Sequence, residues 1–174
     1  LALQLLRRGM QPHWLMNTLT SLQELIEQAP ERASRLVELL AEHFDRLRES
    51  SQHPHISLAD ELALCRSHLQ TVSLALGQRI AIEVDADDLM LPVPPGVLHA
   101  QIENALTHAG AAACAARPFR LRVYRDGQAR VLEVRAARGT AGHRGQGTGT
   151  RYIEASLAAR PGGGRYAPAA DGAV

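Results

Sequence analysis

The apolar residues of the first fifty positions recur at helical spacing in two runs, with a proline between them. Leu15, Leu19, Leu22 and Ile26 step by three and four residues and draw one stripe along a helix that ends near Gln28. Pro30 restarts the chain, and Ala33, Leu36, Leu40, Phe44 and Leu47 resume the same period. So short a connection makes the two helices antiparallel neighbours. A two-helix hairpin leaves an apolar face on each helix uncovered. The sequence therefore predicts pairing with a second copy into a four-helix bundle, a homodimer through residues 1–50. Folding of the hairpin back onto the second half of the same chain is the alternative.

Beyond the hairpin the period changes. Ser50-Ser51-Gln52-His53-Pro54-His55 is polar and broken by proline, so it reads as a linker. Its two histidines have no carboxylate or cysteine in the immediate run and read as solvated rather than metal-binding. Ser57, with Asp60 and Glu61 in the first turn, opens a helix. Its stripe, Leu58, Leu62, Cys65, Leu69, Val72 and Leu76, closes at Gly77. Ile80, Ile82 and Val84 alternate as a strand does, and the acidic turn Asp85 to Asp88 follows. After Pro94-Pro95, Val97, Leu98, Ile102, Ala105 and Leu106 return to helical spacing. Phe119, Leu121 and Val123 alternate again, Asp126-Gly127 signals a two-residue hairpin, and Leu132 and Val134 continue the return strand. The expected fold class is α+β: a helical hairpin over residues 1–51, then a helix-backed, mostly antiparallel sheet over residues 56–174.

Composition narrows the function classes. The 174 residues suffice for one ordinary domain or two small ones, and 45% hydrophobic content supports a folded core. A net charge of +1 with no basic stripe argues against a nucleic-acid or anionic-membrane partner. Cys65 and Cys114 lack both metal-site spacing and the density of a secreted scaffold, which points to a reducing cytoplasmic setting with both thiols buried. No apolar run reaches the roughly 18 residues of a membrane span, and no signal-peptide pattern is present. The chain opens without Met, on Leu1, Leu3, Leu5 and Leu6, as if in mid-helix. It closes on Asp171-Gly172-Ala173-Val174, a turn entering a strand. Both ends suggest a piece of a longer protein that lacks its last strand. No nucleophile elbow supports a serine hydrolase, and neither cysteine has a recognisable catalytic setting.

Three stretches carry chemistry. In Gln11-Pro12-His13-Trp14-Leu15-Met16-Asn17-Thr18-Leu19 a proline sits inside a helical pattern at a cost of roughly 3 kcal/mol. A loosened, exposed imidazole at His13 is one gain that would offset it. Asn17, four residues on, shares its face and can orient a water or phosphoryl oxygen beside that ring. The run Gln101-Ile102-Glu103-Asn104-Ala105-Leu106-Thr107-His108 puts Glu103, Asn104 and His108 within about one turn. There an amide oxygen of Asn104 suits a hard cation that keeps waters and nucleotide phosphates in its shell. Gly145-Gln146-Gly147-Thr148-Gly149-Thr150 precedes a helix expected over 151–159. Such glycines let backbone N–H groups approach phosphates.

Together these stretches resemble, in order and spacing and over roughly residues 3–160, the LytS-like sensor histidine kinases. The first resembles that family's phosphoacceptor segment, N-P-H-F-L-F-N-T-L; the second its asparagine box, E-N-A-x-x-H; the third its second glycine box, G-x-G-L, with Thr150 in place of the leucine. The resemblance implies a dimerisation and phosphotransfer hairpin followed by a GHKL-type α/β sandwich that binds ATP. It implies His13 as the phosphorylated residue and Asn17 as its assistant. Glu103 becomes a support or proton acceptor, Asn104 the magnesium ligand, and His108, Gly145, Gly147 and Gly149 the phosphate neighbours. It also implies a response-regulator partner and an upstream sensor, absent from this chain, that would make it the cytoplasmic portion of an inner-membrane protein.

The sequence departs from the family at Ala136-Ala137-Arg138-Gly139-Thr140, where D-N-G-x-G is expected and its aspartate receives the adenine amino group. An alanine methyl accepts nothing, and losing a charged acceptor costs on the order of 1.5–3 kcal/mol, about ten- to hundredfold in affinity. Gly9, Ala75 and Thr107 replace the family's glutamine, arginine and lysine. A degenerate kinase of the same fold, acting as a dimeric scaffold, phosphatase or phosphoacceptor with weak or no ATP binding, therefore stands beside the active enzyme. An unrelated helical interaction module is the third reading.

Overall fold

The computed structural model describes residues 12–137, 148–159 and 165. Helices α1 (Pro12–Gln28) and α2 (Pro30–Ser50) form the hairpin, with Ala29 alone between them and Pro30 at the first helical position, where its missing N–H costs nothing. Then follow β1 (Ile56–Ser57), α3 (Leu58–Leu76), β2 (Ile82–Ala86), β3 (Pro92–Val93), α4 (Val97–Ala109), α5 (Ala111–Ala116), β4 (Phe119–Asp126), β5 (Ala129–Arg135) and α6 (Thr148–Ala158). The described residues thus make an α+β protein with six helices and two small, mostly antiparallel sheets.

Local chemistry explains the boundaries. The Ser57 hydroxyl accepts the Asp60 N–H at 3.1 Å and caps α3, while Gly77 ends it at φ 65°, a conformation that suits a residue without Cβ. In the larger sheet, ordered β2-β4-β5, strand β4 buries Phe119, Leu121 and Val123 and turns Arg120 and Arg122 outward. Arg120 pairs with Glu83 at 3.0 Å and Arg122 with Asp85 at 3.4 Å across the β2–β4 boundary. Being exposed, each such pair adds no more than about 1 kcal/mol.

Several expectations shift. Strand β2 begins at Ile82 rather than Ile80, and Asp85 and Ala86 extend it instead of opening the turn. Strand β2 pairs with β4 in parallel, because the connection between them carries α4 and α5 and returns the chain to the same end of the sheet. Asp126 pairs with Ala129, so the hairpin loop is Gly127-Gln128, one residue later than expected, with Gly127 at φ 59°. Helix α5 was not anticipated: Ala111–Ala116 has helix-forming residues but no apolar period. The last described helix starts at Thr148, not at residue 151.

The α2 stripe is covered within the chain, whereas on α1 the buried line is Trp14, Thr18 and Leu25, with Leu15 and Leu22 at its margin and the expected Leu19 and Ile26 exposed. Ala33, Leu36 and Leu40 of α2 and Trp14 and Leu25 of α1 share one core with Leu58, Leu62, Cys65, Leu69 and Val72 of α3. The Arg32 guanidinium also donates to the Leu74 carbonyl at 3.2 Å. What the hairpin leaves to solvent is a second row, Met16, Leu19 and Ile26 on α1 and Val37 on α2. Both cysteines are fully buried free thiols, and burial raises the pKa of each. Among the described residues no helix is long and apolar enough to cross a membrane.

Candidate functional site

Helix α4 carries the Glu103, Asn104 and His108 run, and its first turn fixes where that run lies. The fully buried carboxylate of Glu61 accepts the backbone N–H groups of Gly96 at 2.8 Å, Leu98 at 2.9 Å and His99 at 3.0 Å. Three donors that a helix start leaves orphaned are thereby paired, by a group at the positive end of the helix dipole. Burial nevertheless pushes the Glu61 carboxyl up to about 7, with the three N–H bonds pulling the other way.

Further along α4, Glu103 is buried against Nε2 of His68, Asn104 is half-buried, and His108 is exposed. Asn17 is exposed on α1, one turn beyond His13 in the same helix. A cavity of about 320 Å³ between α1, α3 and α4 is lined by Trp14, Asn17, Thr18, Val72, Glu103 and Leu106. The fold thus brings Asn17 and Glu103 to one cavity, which Asn104 and His108 do not line. Ala75 and Thr107 do line it, so the two positions where arginine and lysine were expected present a methyl and a hydroxyl there. A larger cavity, of about 770 Å³, faces Arg32, Arg35, Arg66 and Arg79 and includes none of the candidate residues.

Gly145 and Gly147 lie outside the described residues. Gly149 falls in the first turn of α6, which packs on α4; Ile153 of α6 is fully buried, and the Tyr152 hydroxyl donates to the Pro95 carbonyl just before α4. A helix start next to the asparagine-bearing helix suits phosphate binding. The half-exposed amide oxygen of Asn104 is the donor type that magnesium accepts, with waters and phosphates filling the rest of the shell. Ala136, half-buried just after β5, offers a base no side-chain acceptor.

One cluster escaped the sequence reading. His43 of α2, His68 of α3 and His99 of α4 are 0%, 0% and 3% exposed, with ring centroids 4.7–5.3 Å apart. Trp14 packs on two of them, its ring 4.9 Å from that of His68 and 5.6 Å from that of His43. Burial holds His43 down at about 3, helped by the neighbouring His68, and holds His99 well below the usual imidazole range for the same reasons. A signal was available: His43 falls in the series 36, 40, 43, 47 and His68 in 61, 65, 68, 72, all buried positions of their helices. A histidine at a stripe position is a core histidine.

Residues 1–80 match a family model described as histidine kinase. The chain is also similar to the sensor histidine kinase BtsS of Escherichia coli K12, 26% identical over 135 residues, which are 76% of this chain and 24% of that protein. The same holds for the sensor histidine kinase BtsS of Shigella flexneri. The chain thus spans about a quarter of the length of these curated relatives. The family match and the relatives support one family for this chain, the sensor histidine kinases.

Proposed function

We propose that this chain is the core of a LytS-like sensor histidine kinase in a two-component signalling system. Residues 56–174 form its GHKL-type ATP-binding half, and His13 in the hairpin receives the phosphoryl group. The observation that carries this reading is that Asn17, one turn beyond His13, shares a cavity with Glu103, the residue before Asn104. The neutral imidazole of His13 donates a nitrogen lone pair to the γ-phosphorus of ATP, an N–P bond forms, and the bond to the bridging oxygen breaks with its electron pair leaving on ADP. Asn17 orients a phosphoryl oxygen or water beside it. Glu103 supports the asparagine helix from beneath, and Asn104 holds the cation. Magnesium, when bound, neutralises developing charge on the phosphates. The phosphoryl group then passes to an aspartate of a response regulator. Membrane attachment, in this reading, belongs to a sensor region outside this sequence.

A homodimer goes with this function. Met16, Leu19 and Ile26 fall on one side of α1, opposite buried Trp14, Thr18 and Leu25, and are 45–61% exposed. That is the seam a second hairpin covers. Light scattering is expected to give twice the chain mass, and Leu19→Asp to return it to one. A monomeric wild type would remove the dimer from the account.

A second reading, the degenerate kinase, is favoured by Ala136. Calorimetric titration with Mg-ATP separates the two. The active reading expects micromolar binding that Ala136→Asp tightens about ten- to hundredfold, because a charged acceptor for the adenine amino group is restored. No binding at millimolar ATP by either protein would leave the scaffold reading in its place.

A further inference from the structure

We propose that His43, His68 and His99 form a binding site for a divalent transition metal of the zinc class, clasping the hairpin to helices α3 and α4. One nitrogen from each of the three imidazoles lies within 4.8 Å of those of the other two. Tetrahedral coordination at about 2.0–2.1 Å places ligand nitrogens roughly 3.4 Å apart, so the rings need to close by no more than about 1.4 Å.

The hydrogen bonds around the rings favour ligation. The Ser67 hydroxyl donates its only proton to the Leu64 carbonyl at 2.9 Å, so towards Nδ1 of His43, 3.0 Å away, it can only accept. His43 therefore carries its proton on Nδ1 and presents a bare Nε2. On His68 the Glu103 carboxylate lies against Nε2, which electrostatically favours the proton on that nitrogen and leaves Nδ1 as the lone-pair side. Carboxylate–histidine pairing of this kind sets the tautomer of metal-bound imidazoles. Nε2 of His43, Nδ1 of His68 and Nε2 of His99 are buried, with no hydrogen-bond partner among the described residues. A buried nitrogen lone pair left unpaired is unfavourable, and a cation satisfies three at once. His43 and His99 are also held neutral by burial, the form that binds metal. Trp14 and Glu103, which touch His68, both line the 320 Å³ cavity, which supplies a route for the ion.

This site is independent of the phosphotransfer reading, and its test needs no ATP. The chelator-treated chain is titrated with zinc by calorimetry and with cobalt(II) by visible absorption, which reports tetrahedral geometry. One equivalent is expected to bind with a tetrahedral cobalt spectrum. At a hundredfold excess over Kd, zinc should raise Tm by about 5–10 °C. His99→Gln should abolish both effects, and the linker variant His53→Ala should keep them. Wild type that binds neither ion with one-to-one stoichiometry overturns the proposal without recourse to any variant. Binding lost in His53→Ala and kept in His99→Gln overturns it equally, by moving the ion to the linker.

Discussion

Metal-free protein is expected to lose stability as pH falls below about 6.5, most steeply below about 4.5, and His43→Leu is expected to remove a large share of that loss. His43 titrates near 6.5 when unfolded but is held at about 3 in the fold. Between those values the unfolded chain binds a proton that the folded chain refuses. A depressed imidazole therefore contributes stability that is present above pH 6.5 and drains away down to about pH 3. At about 1.4 kcal/mol per pH unit the loss is on the order of 5 kcal/mol, comparable with the whole stability of many domains. His99 acts in the same direction. Facing these rings are Trp14 from α1, Ser67 and His68 from α3 and Glu103 from α4.

Glu61 works the other way. Its carboxyl is raised to about 7, so its contribution is complete below about pH 4.5 and is lost as pH rises through 7. Between pH 4.5 and 6.5 it partly masks the histidines; below 4.5 it no longer changes, and the histidine loss stands alone. Leucine at position 43 fills similar volume, and Ser67 keeps its bond to Leu64. Urea unfolding of chelated protein at pH 7 and pH 4 checks this. A pH 4 deficit of equal size in wild type and His43→Leu would contradict it.

Much of the fold was legible because the signals were local. The stripe of α2, Pro30 before it, the Ser57 cap, Gly77 and the turn near Gly127 are each decided within a few residues, and each stands within two residues of its expected place; on α1 the helix was legible but its buried face was not, since Leu19 and Ile26 face solvent and Trp14 and Leu25 the core. What covered the hairpin was not legible. Periodicity shows that Leu36 and Leu40 must be buried, but not whether a second chain or α3 buries them. The same limit hid the histidine cluster. His43, His68 and His99 are 25 and 31 residues apart in the chain and meet only because three helices pack together. Of the candidate site, α4 and the helical placement of His13 and Asn17 were readable from motif and period. That Asn17 would share a cavity with Glu103 rather than with Asn104 depends on how α1 lies across α4.

In the proposed reaction one imidazole receives the phosphoryl group, and replacing it is expected to have the largest effect. His13→Gln keeps the size and polarity of the side chain and a helix-compatible residue, but glutamine has no ring nitrogen lone pair to attack phosphorus. Asn17→Ala should slow labelling without abolishing it, since an orienting amide is worth less than the nucleophile itself. The decisive measurement is incubation of the purified chain with γ-labelled Mg-ATP, followed by mass spectrometry of the acid-labile phosphopeptide. Label on His13 in wild type, and none in His13→Gln, is the expected result. Label that persists in His13→Gln, or that maps to another residue, would contradict the account.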